Sequence, residues 1–111
     1  MEKSIEIEYN GEKYQLVFNL NVMEKIQEEY GSVDAWGKLT EAGEPNARAI
    51  KFGFTEMINE GIDIYNENNE TPRKPLTLNQ VGRLITEVGL TTAANKLNDA
   101  VIESTKSDEK N

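Results

Sequence analysis

Acidic side chains are the abundant candidates for chemistry in this chain: 20 Asp and Glu, against no histidine and no cysteine. Without those two residue types the usual zinc ligands, the usual general base and any thiolate nucleophile are missing. Ser4, Ser32, Ser104 and Ser107 have no histidine partner and sit in no glycine-rich nucleophile elbow. Acidic pairs such as Glu28 with Glu29, or Asp63 with Glu67, could in principle act as a carboxylate dyad. In helices so rich in Glu they read instead as solvated faces. The acids and asparagines at 66–70 lack the alternating spacing and terminal bidentate Glu of a calcium loop. No Lys-Ser/Thr follows a glycine-rich turn, so no phosphate-binding loop is expected. These residues predict no catalytic centre, no metal and no cofactor, and therefore a protein that is not an enzyme.

What remains is binding. Phe52 is the first candidate. It projects from a helical apolar stripe toward the opposite side, among Glu56, Asn59 and Asp63. Two readings stay open for it: an aromatic covered by the 32–40 turn or the following loop, or an exposed anchor for a partner with Glu56 and Asp63 around it. Trp36 reads as a core residue, with a contact role as its alternative. The basic run Thr71-Pro72-Arg73-Lys74-Pro75 stands out in an acidic chain. It reads as a loop, or else as a local contact for an acidic partner.

The elements that must position these residues are legible. The organising stretch is Pro45 to about Asn66, where Ala47, Ile50, Phe54, Met57, Ile58, Gly61, Ile62 and Tyr65 share one helical face. Pro45 suits its first turn. A stripe so wide must be covered by the other elements. Residues 3–18 predict a β-hairpin around Asn10-Gly11, a turn in which both residues take positive φ. A two-residue loop pairs Tyr9 with Glu12, Glu8 with Lys13, Ile7 with Tyr14 and Ile5 with Leu16. Ile5, Ile7, Tyr9, Tyr14, Leu16 and Phe18 then share one face, and Glu8 meets Lys13 as an opposite-charge pair. The hairpin edges could accept a strand from a partner or from a second copy, and the charges on both strands also suit an edge kept soluble.

Asn21 with Glu24 predicts the start of a short helix carrying Val22, Met23, Ile26 and Tyr30, closed by Gly31. Ser32 opens a second helical turn with Val33, Trp36 and Leu39 on one side. EAGEP separates it from the central helix. NENNETPRKP is the longest loop and the expected site of greatest mobility. Thr77 with Gln80 fits a capping box, and Leu76 with Val81 a hydrophobic staple. Leu78, Val81, Leu84, Ile85 and Val88 should face inward, and Gly89 should end that helix. Thr91 or Thr92 should cap a last helix with Ala93, Ala94, Leu97, Ala100 and Val101 on its small-residue face, the pair forming a tight αα-hairpin. Gly53, Gly61 and Gly82 read as close packing between helices. The sum is one α+β domain over 1–103: an N-terminal antiparallel β-hairpin packed on a mostly helical bundle of four to five helices. A polar tail, 104–111, is expected to fray.

Composition bounds the partners. A net charge of −8 disfavours nucleic acid and anionic membrane surfaces, which need clustered Lys and Arg. No apolar run approaches a membrane span. MEKSIEIEYN alternates and is acidic, unlike a targeting segment, so the cytosol is the expected compartment.

Three runs carry a family resemblance: LVFNLNVMEKIQEEYGSVDAWGKL, AIKFGFTEMINEG and PLTLNQVGRLITEVGLTTAANKLNDAV. Their order and spacing over roughly residues 14 to 103 resemble the tail assembly chaperones of long-tailed bacteriophages and prophages. The N-terminal hairpin is fuller here than that pattern requires, which leaves room for another phage accessory role. The resemblance implies a non-enzymatic protein of the bacterial cytoplasm. It would bind the tape measure protein and tail tube protein during assembly and be absent from the mature virion. It also implies that a longer frameshifted product could extend from the polar end STKSDEKN. The alternatives are a phage structural or adaptor protein of the head–tail connector type, and a small acidic regulatory or inhibitor domain.

Overall fold

The structure is a computed structural model that describes residues 5–41 and 45–109, with side chains as far as Thr105. The expected strand residues Lys3 and Ser4, the Ala42–Glu44 turn and the last two residues lie outside the described ones. The elements are β1 (Ile5–Tyr9), β2 (Glu12–Leu16), α1 (Leu20–Tyr30), α2 (Val33–Glu41), α3 (Ala47–Glu67), α4 (Leu78–Val88) and α5 (Leu90–Glu109). The class is α+β, with a two-stranded antiparallel sheet ahead of five helices.

The hairpin has the expected register, from Ile5 opposite Leu16 to Tyr9 opposite Glu12. Asn10 (φ 53°) and Gly11 (φ 77°) both take the left-handed conformation that a tight two-residue turn requires. Ile7, Tyr14 and Leu16 are buried, and Ile5, Tyr9 and Phe18 pack against that core. Glu8 does face Lys13, but no ion pair forms between them.

α3 is the hub. It touches β2 and all four other helices, while β1 joins the body through β2 and α5. Its Asn46 cap accepts from the Ala49 N–H at 2.9 Å, which places Pro45 before the cap rather than in the first turn. The buried stripe holds Ala49, Ile50, Gly53, Phe54, Met57, Ile58, Gly61 and Ile62. The expected ends of that stripe, Ala47 and Tyr65, are exposed.

Two of the stripe's glycines do the same job. Side chains on a helix lean toward its N-terminus, so the residue at i+4 lies over the carbonyl of residue i. Gly53 leaves the Ala49 carbonyl open, and the Trp36 indole N–H donates to it at 2.9 Å. Gly61 leaves the Met57 carbonyl open, and the Val17 N–H donates to it at 3.2 Å. A Cβ at 53 would overlap the indole ring, and one at 61 would overlap the Gln15 carbonyl oxygen. α2 and β2 are thus each seated on α3 by a glycine and a helix carbonyl. Gly61 serves a helix–strand contact, not the helix–helix contact expected of it.

Other boundaries shift. Asn19, not Asn21, caps α1: it is extended (φ −141°, ψ −172°) and accepts from the Val22 N–H at 3.2 Å. Val17 is held by α3, so the chain turns at the first of the two asparagines. Gly31 (φ 88°) closes α1 as expected. The Thr77–Gln80 capping box forms in both directions, at 3.1 and 2.8 Å. Leu78, expected inside, is 50% exposed, because the cap directs the first residue of α4 outward. α5 starts at Leu90, directly after Gly89, so Thr91 and Thr92 lie within its first turn and neither is its cap. α5 also continues to Glu109, past the boundary expected after residue 103.

The loop after α3 is tied down. The Asn66 side chain accepts from the Arg73 N–H (2.8 Å) and donates to its carbonyl (2.9 Å). Asn59 does the same to Leu76, at 2.8 and 2.9 Å. Each amide side chain imitates a paired peptide group. Arg73 itself folds back onto the hairpin. Its guanidinium carbon lies 4.3 Å from the Tyr14 ring centre and 5.4 Å from that of Tyr65. It donates to the Lys13 carbonyl at 3.1 Å and pairs with Glu12. The arginine of the basic run is therefore engaged within the chain, while Lys74 beside it is exposed.

Candidate interaction surface

The polar side of α3 carries Glu56, Glu60 and Asp63, spaced at i, i+4 and i+7 so that they form one strip. The first turn of α1 lies alongside. Both asparagines there reach over: Asn19 donates to Glu60 Oε2 at 2.7 Å and Asn21 to the same oxygen at 3.1 Å. Between α1 and the tied-down loop runs a groove of about 290 Å³, lined among others by Asn21, Lys25, Glu56, Asn59, Glu60 and Asp63. Leu20, between the two asparagines, is 76% exposed.

Electrostatically the groove is acidic with one cation on its wall. Burial pushes the Glu56 carboxyl above its ordinary value, Lys25 pulls it back, and the neighbouring Glu60 raises it further. Glu60 is held by two amide donors and Asp63 is exposed. A cationic side chain entering here would relieve Glu56, which accepts no hydrogen bond from the described residues. Among the described residues no group of three or more His, Cys, Asp or Glu is placed to hold a metal ion. None of the described helices is long and apolar enough to cross a membrane.

The four residues singled out from sequence divide. Glu56 and Asp63 line the groove together. Phe52, one turn before Glu56, is half-buried: its ring meets Tyr30 edge-on, with centres 5.6 Å apart and planes at 74°. Tyr30 of α1 therefore supplies part of its cover. Trp36 is 2% exposed and committed to Ala49 and Gly53, so it is no surface anchor. Beside Phe52, the Tyr30 hydroxyl is buried with no hydrogen-bond partner. Burial raises its pKa, against the pull of Arg48, which pairs with Glu29 at 2.7 Å.

Glu60, Lys25, Asn19 and Leu20 are additions from the structure. Glu60 was open to discovery from helical spacing alone, four residues after Glu56. The α1 residues were not, because nothing local says which helix lies beside that strip. Comparison with family models, with curated proteins and with solved structures gives no match. The functional reading therefore stands on the sequence blocks and on this surface.

Proposed function

We propose that this chain is a non-enzymatic tail assembly chaperone of a long-tailed phage or prophage. It acts in the host cytoplasm, binds tape measure and tail tube proteins during tail morphogenesis, and is left out of the finished virion. The resemblance across residues 14 to 103 supplies the partners. The observation that carries the mode of action is the α1–α3 groove: acidic walls around Glu56, Glu60 and Asp63, with Leu20 exposed at the start of α1. That combination suits one face of an amphipathic helix with an apolar side chain flanked by basic ones. Holding such helices would keep a long helical partner soluble until tube subunits cover it.

Co-expression tests this reading. The tape measure protein should be more soluble with this chain than without it, and Asp63→Lys together with Leu20→Ser should remove the gain. Unchanged tape measure solubility would sink the reading. Purified virions should lack the chain, whereas its presence there would favour the connector-type alternative.

A further inference from the structure

The sheet has two edges, and among the described residues only the β2 edge has its backbone groups partnered. In an antiparallel pair, alternate residues turn their N–H and C=O groups outward. On β2 these are Lys13, Gln15 and, just beyond, Val17. All three are covered: Arg73 donates to the Lys13 carbonyl, Gln15 lies against Gly61, and Val17 donates to Met57. The register sets Lys13 opposite Glu8 and Gln15 opposite Glu6. Glu6 and Glu8 therefore turn their peptide groups away from β2, and no hydrogen bond among the described residues reaches them from the other side. Their carboxylates are exposed and unpaired. On the other face of the same edge, Ile5 and Tyr9 are only half-buried.

We propose that this open β1 edge takes up an extended segment of a partner protein in which apolar residues alternate with Lys or Arg. The backbone of such a segment would pair with the free groups of Glu6 and Glu8. Its apolar residues would complete the cover over Ile5 and Tyr9, and its cations would stand beside the two glutamates. A second copy of this chain fits poorly. Antiparallel pairing of β1 with itself centred on Glu6, Ile7 or Glu8, the registers of greatest overlap, sets at least one glutamate directly against another. The same charges that block self-pairing thus select a basic strand. The proposal rests on the edge alone and is independent of the tape measure reading.

The test is a titration of the full chain with two short capped peptides, one alternating valine and lysine, the other valine and glutamate. Binding is read from amide exchange of Glu6 and Glu8. The lysine peptide should slow exchange at both amides and bind about tenfold tighter than the glutamate peptide, the ratio two cross-strand charge pairs supply. Glu6→Lys with Glu8→Lys, both exposed and so compatible with the fold, should reverse the preference. Protection by neither peptide, or equal protection by both, overturns the proposal. Concentration-dependent protection without peptide also overturns it, because a second copy would then occupy the edge.

Discussion

Gly53 lies against the Trp36 indole with no space for a side chain between them. Ala49, one turn earlier, offers its carbonyl to the same ring. The ring is therefore fixed along its Nε1–Cζ2 edge, by a missing side chain beside Cζ2 and by a hydrogen bond from the nitrogen. Gly53→Ala sets two effects against each other. Alanine favours the helix by about 1 kcal/mol. Overpacking against a rigid indole costs about 1–3 kcal/mol, and a displaced N–H loses its buried acceptor at a further cost of about 1–3 kcal/mol. The expected net is a loss of about 3 kcal/mol in urea unfolding, with a red-shifted tryptophan emission. Gly61→Ala should cost at least as much, because the obstacle is the Gln15 backbone, which cannot rotate away.

Arg73 is the link between the long loop and the hairpin. Arg73→Ala removes stacking on Tyr14 and the bond to the Lys13 carbonyl, an expected loss of about 1–2 kcal/mol. Arg73→Lys should recover less than half, since an ammonium cannot stack and fork at once. Glu12→Gln should cost under about 0.5 kcal/mol, because that carboxylate is 59% exposed. Urea midpoints at unchanged m-value order the three variants. If Glu12→Gln matches Arg73→Ala, the ion pair outweighs the stacking.

Phe52→Ala deletes one side of the edge-on pair with Tyr30. Half-burial and one aromatic contact set the expected loss at about 2 kcal/mol. Because the ring is half-buried against Tyr30, partner capture measured well below the variant's melting temperature should be unchanged. Lost capture by a variant shown to be folded would mean that the exposed part of the ring meets the partner directly.

Glu56→Gln should stabilise the chain near pH 7. Burial raises the folded carboxyl's pKa above the ordinary 4.5, so the folded state holds its proton more tightly than the unfolded state. Stability then falls as pH rises from about 4.5 through the raised value, and the penalty is complete above it. Solvent screens a half-exposed group, so the expected gain for Gln is small, about 1–3 °C in Tm. The difference from the parent should vanish below about pH 4. An equal difference at both pH values would tie the effect to packing instead of charge.

How far the sequence could be read follows from how local each cause is. The hairpin register follows from Asn10-Gly11 and alternation, and the start of α4 from Thr77 and Gln80, all within a few residues. The α3 stripe follows from period alone. Asn19 and Asn21 are chemically equal as caps, and what separates them is α3 holding Val17, a contact forty residues along the chain. Arg73 reads as loop because its aromatic partner Tyr14 is more remote still. Half of the candidate surface, Glu56 and Asp63, was available from helical spacing. The other half belongs to α1 and depends on which helix packs beside that strip.

Asn59 and Asn66 stand two helical turns apart, about 10.5 Å of rise. Their backbone partners, Leu76 and Arg73, are three extended residues apart, about 10 Å. The two spans agree, so α3 and the returning segment work as a gauge that accepts one length. An inserted residue between Arg73 and Leu76 would put both brackets out of step by about 3.3 Å. Insertions between Glu67 and Pro72 leave the gauge untouched. Length variation in this loop should therefore be tolerated on one side of Arg73 and rejected on the other, although both sides are exposed.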